Sequence, residues 1–343
     1  MSEKRTEMSQ LGEFGLIERI NSGLKLKHKE SVLGIGDDAA IIDSGDHYTV
    51  VSTDMLLEGI HFDLSYIPLQ HLGFKAVAVN VSDIASMNAI AKQITINIGL
   101  SNRFSVEAVD EFYKGVHAAC EKYNVDLVGG DTSSSASGFV ISVTAIGVVD
   151  KTKITKRSGA GLQDVICVTG DLGGAYLGLQ VLEREKQVFL ANPEMQPQLE
   201  KYEYIVSRQL KPDARMDLIH EFADHDIIPT SMIDVSDGLA SELLHLSKSS
   251  GMGMKIYEDK LPVDKQTYDT GFELGIDATT AVMNGGEDYE LLFTIKQGDL
   301  DKVKKQPDIH LIGFVQNLSE GNQMVSKSDN LINIEAQGWN HLK

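Results

Sequence analysis

"LGFKAVAVNVSDIASM", residues 72–87, is a run of small and apolar side chains with one carboxylate, Asp83, inside it. The run is long and continuous enough to form a buried helix. A lone acid on such a helix sits at least half-buried and therefore needs a partner. Upstream, "YTVVSTDML" (48–56) reads as a buried strand because Tyr48 to Val51 favour β structure; Ser52, Thr53 and Asp54 are expected to interrupt it with a polar turn. Nearer the N-terminus, "LGEFGLIERINSGL" (11–24) spaces Leu11, Phe14, Ile17 and Ile20 by three, which suits one face of a short helix ending near Gly23. Between these two, "GIGDDAAII" (34–42) sets Asp37 and Asp38 behind a glycine turn, where they either cap a helix "DDAAII" or serve as ligands.

Downstream, "KQITINIGL" (92–100) puts Ile94, Ile96 and Ile98 on one face of a strand, and 105–124 is a helix with Ser105 as its cap. "VDLVGGDTSSS" (125–135) is a strand ending in a glycine turn, and "FVISVTAIGVV" (139–149) is another strand. The cationic, glycine-bearing "KTKITKRSGAGLQD" (151–164) then marks a boundary. Beyond it come strand 165–170, turn and helix 171–183, a surface excursion at 191–206, and a helix resuming over 209–223. "TSMIDVSDGL" (230–239) runs into a helix starting near Asp237, and "NGGEDYELLFTI" (284–295) is a turn followed by a strand. A chain of 343 residues is too long for one ordinary core. Two domains are expected, 1–150 and 151–343, of mixed α/β class.

Fifty acidic residues against 31 basic ones give a formal charge of −19, which opposes attachment to nucleic acid or to an anionic membrane. Cys120 and Cys167 have no CxxC spacing and read as reduced core residues, and the charged N-terminus shows neither signal peptide nor anchor. A cytoplasmic protein is expected.

The acids are placed one by one at the edges of apolar elements: Asp38, Asp54, Asp83, Asp131 in "VGGDTS", and Asp234 and Asp237 in "MIDVSDGL". Capping does not require so many. Scattered aspartates beside hydroxyls, as in Ser52-Thr53-Asp54, suit magnesium, which takes oxygen ligands and is commonly shared with substrate phosphates. Zinc would need His and Cys clusters, and an EF-hand would need its acid-rich loop; both are lacking. Gly34, Gly36 and Ala39 satisfy G-x-G-x-x-A, but Asp37 and Asp38 would then face a pyrophosphate with like charge. There is no P-loop and no protein-kinase signature. "TGDLGGAYLGL" (169–179) either approaches a phosphate or simply turns the chain.

"LGIGDDAA", "VSTDMLLEGIHF", "AVNVSDIASM", "LVGGDTS", "KRSG", "IDVSDGL", "NGGEDYEL" and the terminal "GWNH" together resemble the thiamine-monophosphate kinases, of the aminoimidazole ribonucleotide synthetase-like superfamily of ATP enzymes. The resemblance is collinear from about residue 12 onward. It implies the two-domain aminoimidazole ribonucleotide synthetase-like fold, a homodimer built through the N-terminal sheet, and transfer of a phosphoryl group from ATP to thiamine monophosphate with several Mg2+ ions. Carried over by motif, Asp38, Ser52, Thr53, Asp54, Asp83, Asp131, Asp234 and Asp237 would be metal-binding positions, with Asp37 supporting its neighbour. Gly130, Asp131, Arg157, Ser236 and Tyr113 would contact ATP, and His61, Glu287 and Trp339 thiamine monophosphate. Blander readings stand beside these: His61 as an ordinary half-buried histidine, Glu287 as a turn cap, Trp339 as packing for the tail. The chain departs from the family at "KRSGAGLQD", at Asn88 in place of a glycine, and at Trp339 in place of a tyrosine.

No covalent nucleophile or general base is expected, since the acceptor phosphate is itself the nucleophile. The rivals are a sister ATP enzyme of the superfamily and a non-catalytic magnesium- or nucleotide-binding regulator. A hydrogenase-maturation dehydratase should end in a cysteine tail, whereas this chain ends "GWNHLK".

Overall fold

The structure, a computed structural model, describes residues 11–136 and 138–336. The first half builds a six-stranded sheet from β1 (Ser31–Leu33), β2 (Ala40–Asp43), β3 (His47–Leu57), β4 (Ile90–Leu100), β5 (Asp126–Ser134) and β6 (Val140–Asp150), in the order β1-β2-β3-β6-β4-β5. Only β4 and β5 run parallel, so the sheet is mixed. The second half builds a seven-stranded mixed sheet from β7 (Val165–Thr169), β8 (Ser231–Asp234), β9 (Gly253–Tyr257), β10 (Leu291–Ile295), β11 (Ile309–Gln316), β12 (Gln323–Val325) and β13 (Leu331–Asn333). The helices are α1 (Gly12–Asn21), α2 (Leu69–Ser86), α3 (Val106–Tyr123), α4 (Gly174–Ala191), α5 (Glu203–Leu210), α6 (Met216–Asp224), α7 (Leu239–Ser250), α8 (Lys265–Leu274), α9 (Ala278–Asn284) and α10 (Leu300–Val303). The mixed α/β class expected from the sequence is the one observed.

Helix α2 is the axis of the molecule. Leu72 to Ser82 are buried without a break, as an apolar helix without a polar face must be. It packs on β3, β4 and β6 of the first sheet, on β8 of the second, and on α3, α5 and α6. The crossing with α3 depends on two glycines: a Cβ on Gly73 would lie 2.0 Å from the Phe112 carbonyl oxygen, and one on Gly115 1.8 Å from that of Gln70. One apolar core runs through both halves, from Val50 and Ile96 to Phe222 and Phe293, and a second fills the space beneath α7 and α9.

Four local expectations change. The strand at 48–56 is not cut short at Ser52: β3 continues to Leu57, paired with β6 over its whole length, and its polar residues alternate between two faces. Residues 40–43 form β2, so Asp37 and Asp38 precede a strand and cap no helix. Gly129 and Gly130 lie inside β5 and make no turn; a Cβ at Gly130 would come 1.8 Å from the Ile96 carbonyl oxygen on β4. The helix drawn over 209–223 is broken around Pro212, where the ring removes a backbone donor. Among the described residues no helix is long and apolar enough to cross a membrane.

Candidate metal and nucleotide site

Asp38 lies in the turn before β2, Asp54 on β3, Asp83 on α2 and Asp234 at the end of β8, so both sheets and the axial helix contribute. Carboxylate oxygens of Asp38, Asp83 and Asp234 all lie within 4.8 Å of one another. Hydroxyls and amides fix the group from behind. Ser52 donates to Asp83, Ser82 Oγ donates to Asp234 Oδ2 at 2.6 Å, and the Asp54 backbone N–H donates to Asn80 Oδ1 at 3.1 Å. The Asn80 amide is itself held by the Ala76 carbonyl oxygen one turn back.

Among the described residues, the cation in contact with this group is Arg157. Its Nε donates to Asp38 Oδ1 at 3.0 Å and Nη2 donates to the same oxygen, while its backbone N–H donates to the Asp37 carboxylate at 3.1 Å. Among the described residues, Asp38 Oδ2 is buried with no hydrogen-bond partner. One guanidinium does not balance four acids. Burial, then the Asp54, Asp234 and Asp38 charges, push Asp83 well above the ordinary carboxylate range. Burial followed by Asp38 raises Asp54 to about 6 and Asp234 to about 7, and the same two causes take Asp37 to about 6. Such shifts record negative charge held in want of cations. An all-oxygen donor set that includes this buried, unpartnered oxygen fits a hard divalent ion such as Mg2+.

The other expected residues fall in three places. Ser236 and Asp237 lie in the loop between β8 and α7 beside the cluster, where the Asp237 N–H donates to buried Glu242 Oε1 at 2.9 Å. His61 is half-buried, and its Nδ1 accepts the Leu57 N–H at 3.0 Å, so Nε2 carries the ring proton in the neutral form. Glu287 stands at the left-handed φ of +67°, and its Oε2 accepts from Lys75. Thr53 and Asp131 face the other way. Asp54, Val143, Ile96 and Gly130 lie in one row across the sheet, on the face that α2 covers; Met55, Ser142, Asn97 and Asp131 form the next row, on the opposite, exposed face. Asp131 is thus about 14 Å across the sheet from β3, as well as on its far side. Tyr113 lies on α3 next to Phe112, which meets α2 at Gly73, ten residues or about 15 Å of helix from Asp83. Trp339 is outside the described residues. Asn88, the departure from a glycine, does adopt a positive φ of 55°.

The glycine corner after β7 is closed to a phosphate. The Gly173 and Ala175 N–H groups at the start of α4 donate to the Asp288 carboxylate, at 2.7 and 3.3 Å. That carboxylate takes the place an anionic ligand would fill.

A family model described as AIR synthase related protein, N-terminal domain, matches residues 36–149. The thiamine-monophosphate kinase of Aquifex aeolicus is 33% identical over 97% of this chain and 99% of its own length. That of Bacillus subtilis is 30% identical over 97% of this chain and 100% of its own. The chain belongs to the thiamine-monophosphate kinase family. A solved structure described as "AaThiL complexed with AMPPCP and TMP" superposes with a TM-score of 0.83 at 32% identity, covering 99% of this chain and all of that one. More distant is a HypE-HypF complex structure, 20% identical with a TM-score of 0.72, which shares the fold. Within this thiamine-monophosphate kinase fold, residues that sequence reasoning passed over also serve the site: Asn80 and Ser82 on α2, Glu242 on α7, and Tyr289, whose phenol burial and the Glu287, Asp54, Asp234 and Asp83 charges push far up.

Proposed function

We propose that this protein transfers the terminal phosphoryl group of ATP to thiamine monophosphate, giving ADP and thiamine diphosphate. The observation that carries the reading is the four-carboxylate group of Asp38, Asp54, Asp83 and Asp234, drawn from both halves, in a chain of this family. These aspartates, with Asp237 beside them, would hold Mg2+, which neutralises and aligns the phosphates of the two substrates. Arg157 supplies a further positive charge to the ATP phosphates, with Ser236 beside it. His61 and Glu287 would contact the acceptor, Glu287 at its organic end; Trp339, the third residue expected there, lies outside the described residues. An oxygen of the thiamine monophosphate attacks the terminal phosphorus in line, the bond from that phosphorus to the bridging oxygen breaks, and ADP leaves with the electron pair. A phosphate monoester has a second pKa of about 6, so at neutral pH no side chain has to remove a proton.

The same reading includes a cytoplasmic homodimer built through the first sheet. Support comes from the open face of that sheet, which exposes Met55 and Ile42, and from free Cys120 and Cys167, which suit a reducing compartment. Thr53 and Asp131 lie on that open face, so their part in metal binding depends on the assembly; Gly130, in the covered row, and Tyr113, on α3, belong to the same reading as nucleotide contacts. The test is direct: purified protein with ATP, Mg2+ and thiamine monophosphate should yield thiamine diphosphate and one ADP per product. ADP release independent of thiamine monophosphate would refute it.

A further inference from the structure

Lys75 is among the largest side chains that solvent does not reach: it is 1% exposed, on a helix of mostly small apolar residues. A lysine is almost never fully buried unless paired. Its Nζ donates to Glu287 Oε2 at 2.6 Å and to the Gln209 carbonyl oxygen at 3.3 Å, and Gln209 Nε2 donates to the same Glu287 oxygen at 2.6 Å. Both donors converge on one carboxylate oxygen, while 26% of the Glu287 side chain stays exposed. The main chain there is fixed as well, with the Glu287 N–H donating to the Ser236 carbonyl oxygen at 2.8 Å and φ in the left-handed region. A residue with a side chain pays conformational energy to stand there, a feature that concentrates at functional sites. The bond to Ser236 ties Glu287 to the loop that follows Asp234, next to the aspartate group.

We propose that Lys75 and Gln209 are positioning residues for recognition of the phosphate acceptor: they lock the Glu287 carboxylate in one orientation, so that its exposed part meets a cationic nitrogen heterocycle. The inference rests on the activity proposed above and adds to it two residues from α2 and α5. Lys75 offsets the charge of Glu287, so recognition depends on the direction of the carboxylate more than on net attraction. Holding that direction before the ligand arrives lowers the cost of binding.

The experiment measures thiamine monophosphate and nucleotide binding by calorimetry, together with KM for each, in Lys75→Met, Glu287→Gln and the double variant. In Lys75→Met the Kd and KM for thiamine monophosphate rise about tenfold while those for ATP move less than about twofold. Because Lys75 acts through Glu287, the double variant binds thiamine monophosphate no more weakly than Glu287→Gln alone. Its thermal stability nevertheless recovers relative to Lys75→Met, which leaves a partly buried acid without its cation. Equal changes for both ligands, additive losses in the double variant, or recovery of affinity in step with stability would each overturn the proposal. If Lys75→Met does not fold, Gln209→Leu takes its place, with an expected loss of about threefold confined to thiamine monophosphate. Wild-type protein that binds thiamine monophosphate but makes no thiamine diphosphate would refute the activity and leave the binding comparison intact.

Discussion

Glu290 and Asp234 are buried to the same depth, 2% and 3% exposed, and end in opposite electrostatic states. Glu290 accepts from Arg208 at 2.8 Å, from Arg215 at 2.6 Å and from Thr169 at 2.5 Å. Burial alone would raise it, yet the two guanidiniums hold it below the ordinary range. Asp234 has the Ser82 hydroxyl, three acidic neighbours and a share of Arg157, and is raised to about 7. An acid buried together with its counter-ions is framework. An acid buried without them is a place where cations are to arrive.

The largest expected effect separates these two regions by activity. Asp83→Asn should lower kcat/KM about a thousandfold, or about 4 kcal/mol of transition-state stabilisation, and should leave the thermal midpoint of the metal-free protein unchanged or higher. Loss of fold with unaltered specific activity would erase the distinction. Next comes its mirror image: Glu290→Gln leaves two buried guanidiniums short of charge and should cost about 3 kcal/mol of stability, while protein that remains folded keeps its KM values. Calorimetry and kinetics on one preparation read both.

The smallest effect is on pH dependence. Asp54 and Asp234 have folded-state values of about 6 and about 7, above the unfolded carboxylate value. The folded state therefore binds more protons, and this contribution is fully present at acid pH and lost as pH rises through that window. In chelator, the midpoint should fall by a few degrees between pH 5 and 8, and Mg2+ should restore it at the upper end. A midpoint that rises over the same interval, or ignores Mg2+, would place the aspartates with Glu290.

Much of this was legible in the chain. A continuous run of small and apolar residues marked α2, the isoleucine alternation marked β4, and Ser105 does cap α3, accepting the Ala108 N–H at 3.3 Å. The acids pointed to their cluster because each borders or interrupts an apolar element: Asp38 stands before β2, Asp54 within β3, Asp83 within α2 and Asp234 at the end of β8. The facing of Thr53 and Asp131 was not legible, because it depends on the pairing of β3 with β6 and of β5 with β4, and period-two alternation in a polar stretch does not say which face is covered. Ser82 and Lys75 had a signal that went unused: they stand seven residues, or two helical turns, apart on a helix that offers water no face. Gln209 had none, being brought to Lys75 across 134 positions by tertiary packing alone.

Strand β3 suspends Ser52 and Asp54 over the cleft and Thr53 and Met55 over the uncovered side of the same sheet. Whatever grips that uncovered side sets the pleat from which the two cleft residues hang. Assembly and chemistry would then share a single peptide unit as their linkage, and a cavity-making substitution at Met55 would be felt at Asp54 without any domain having to move.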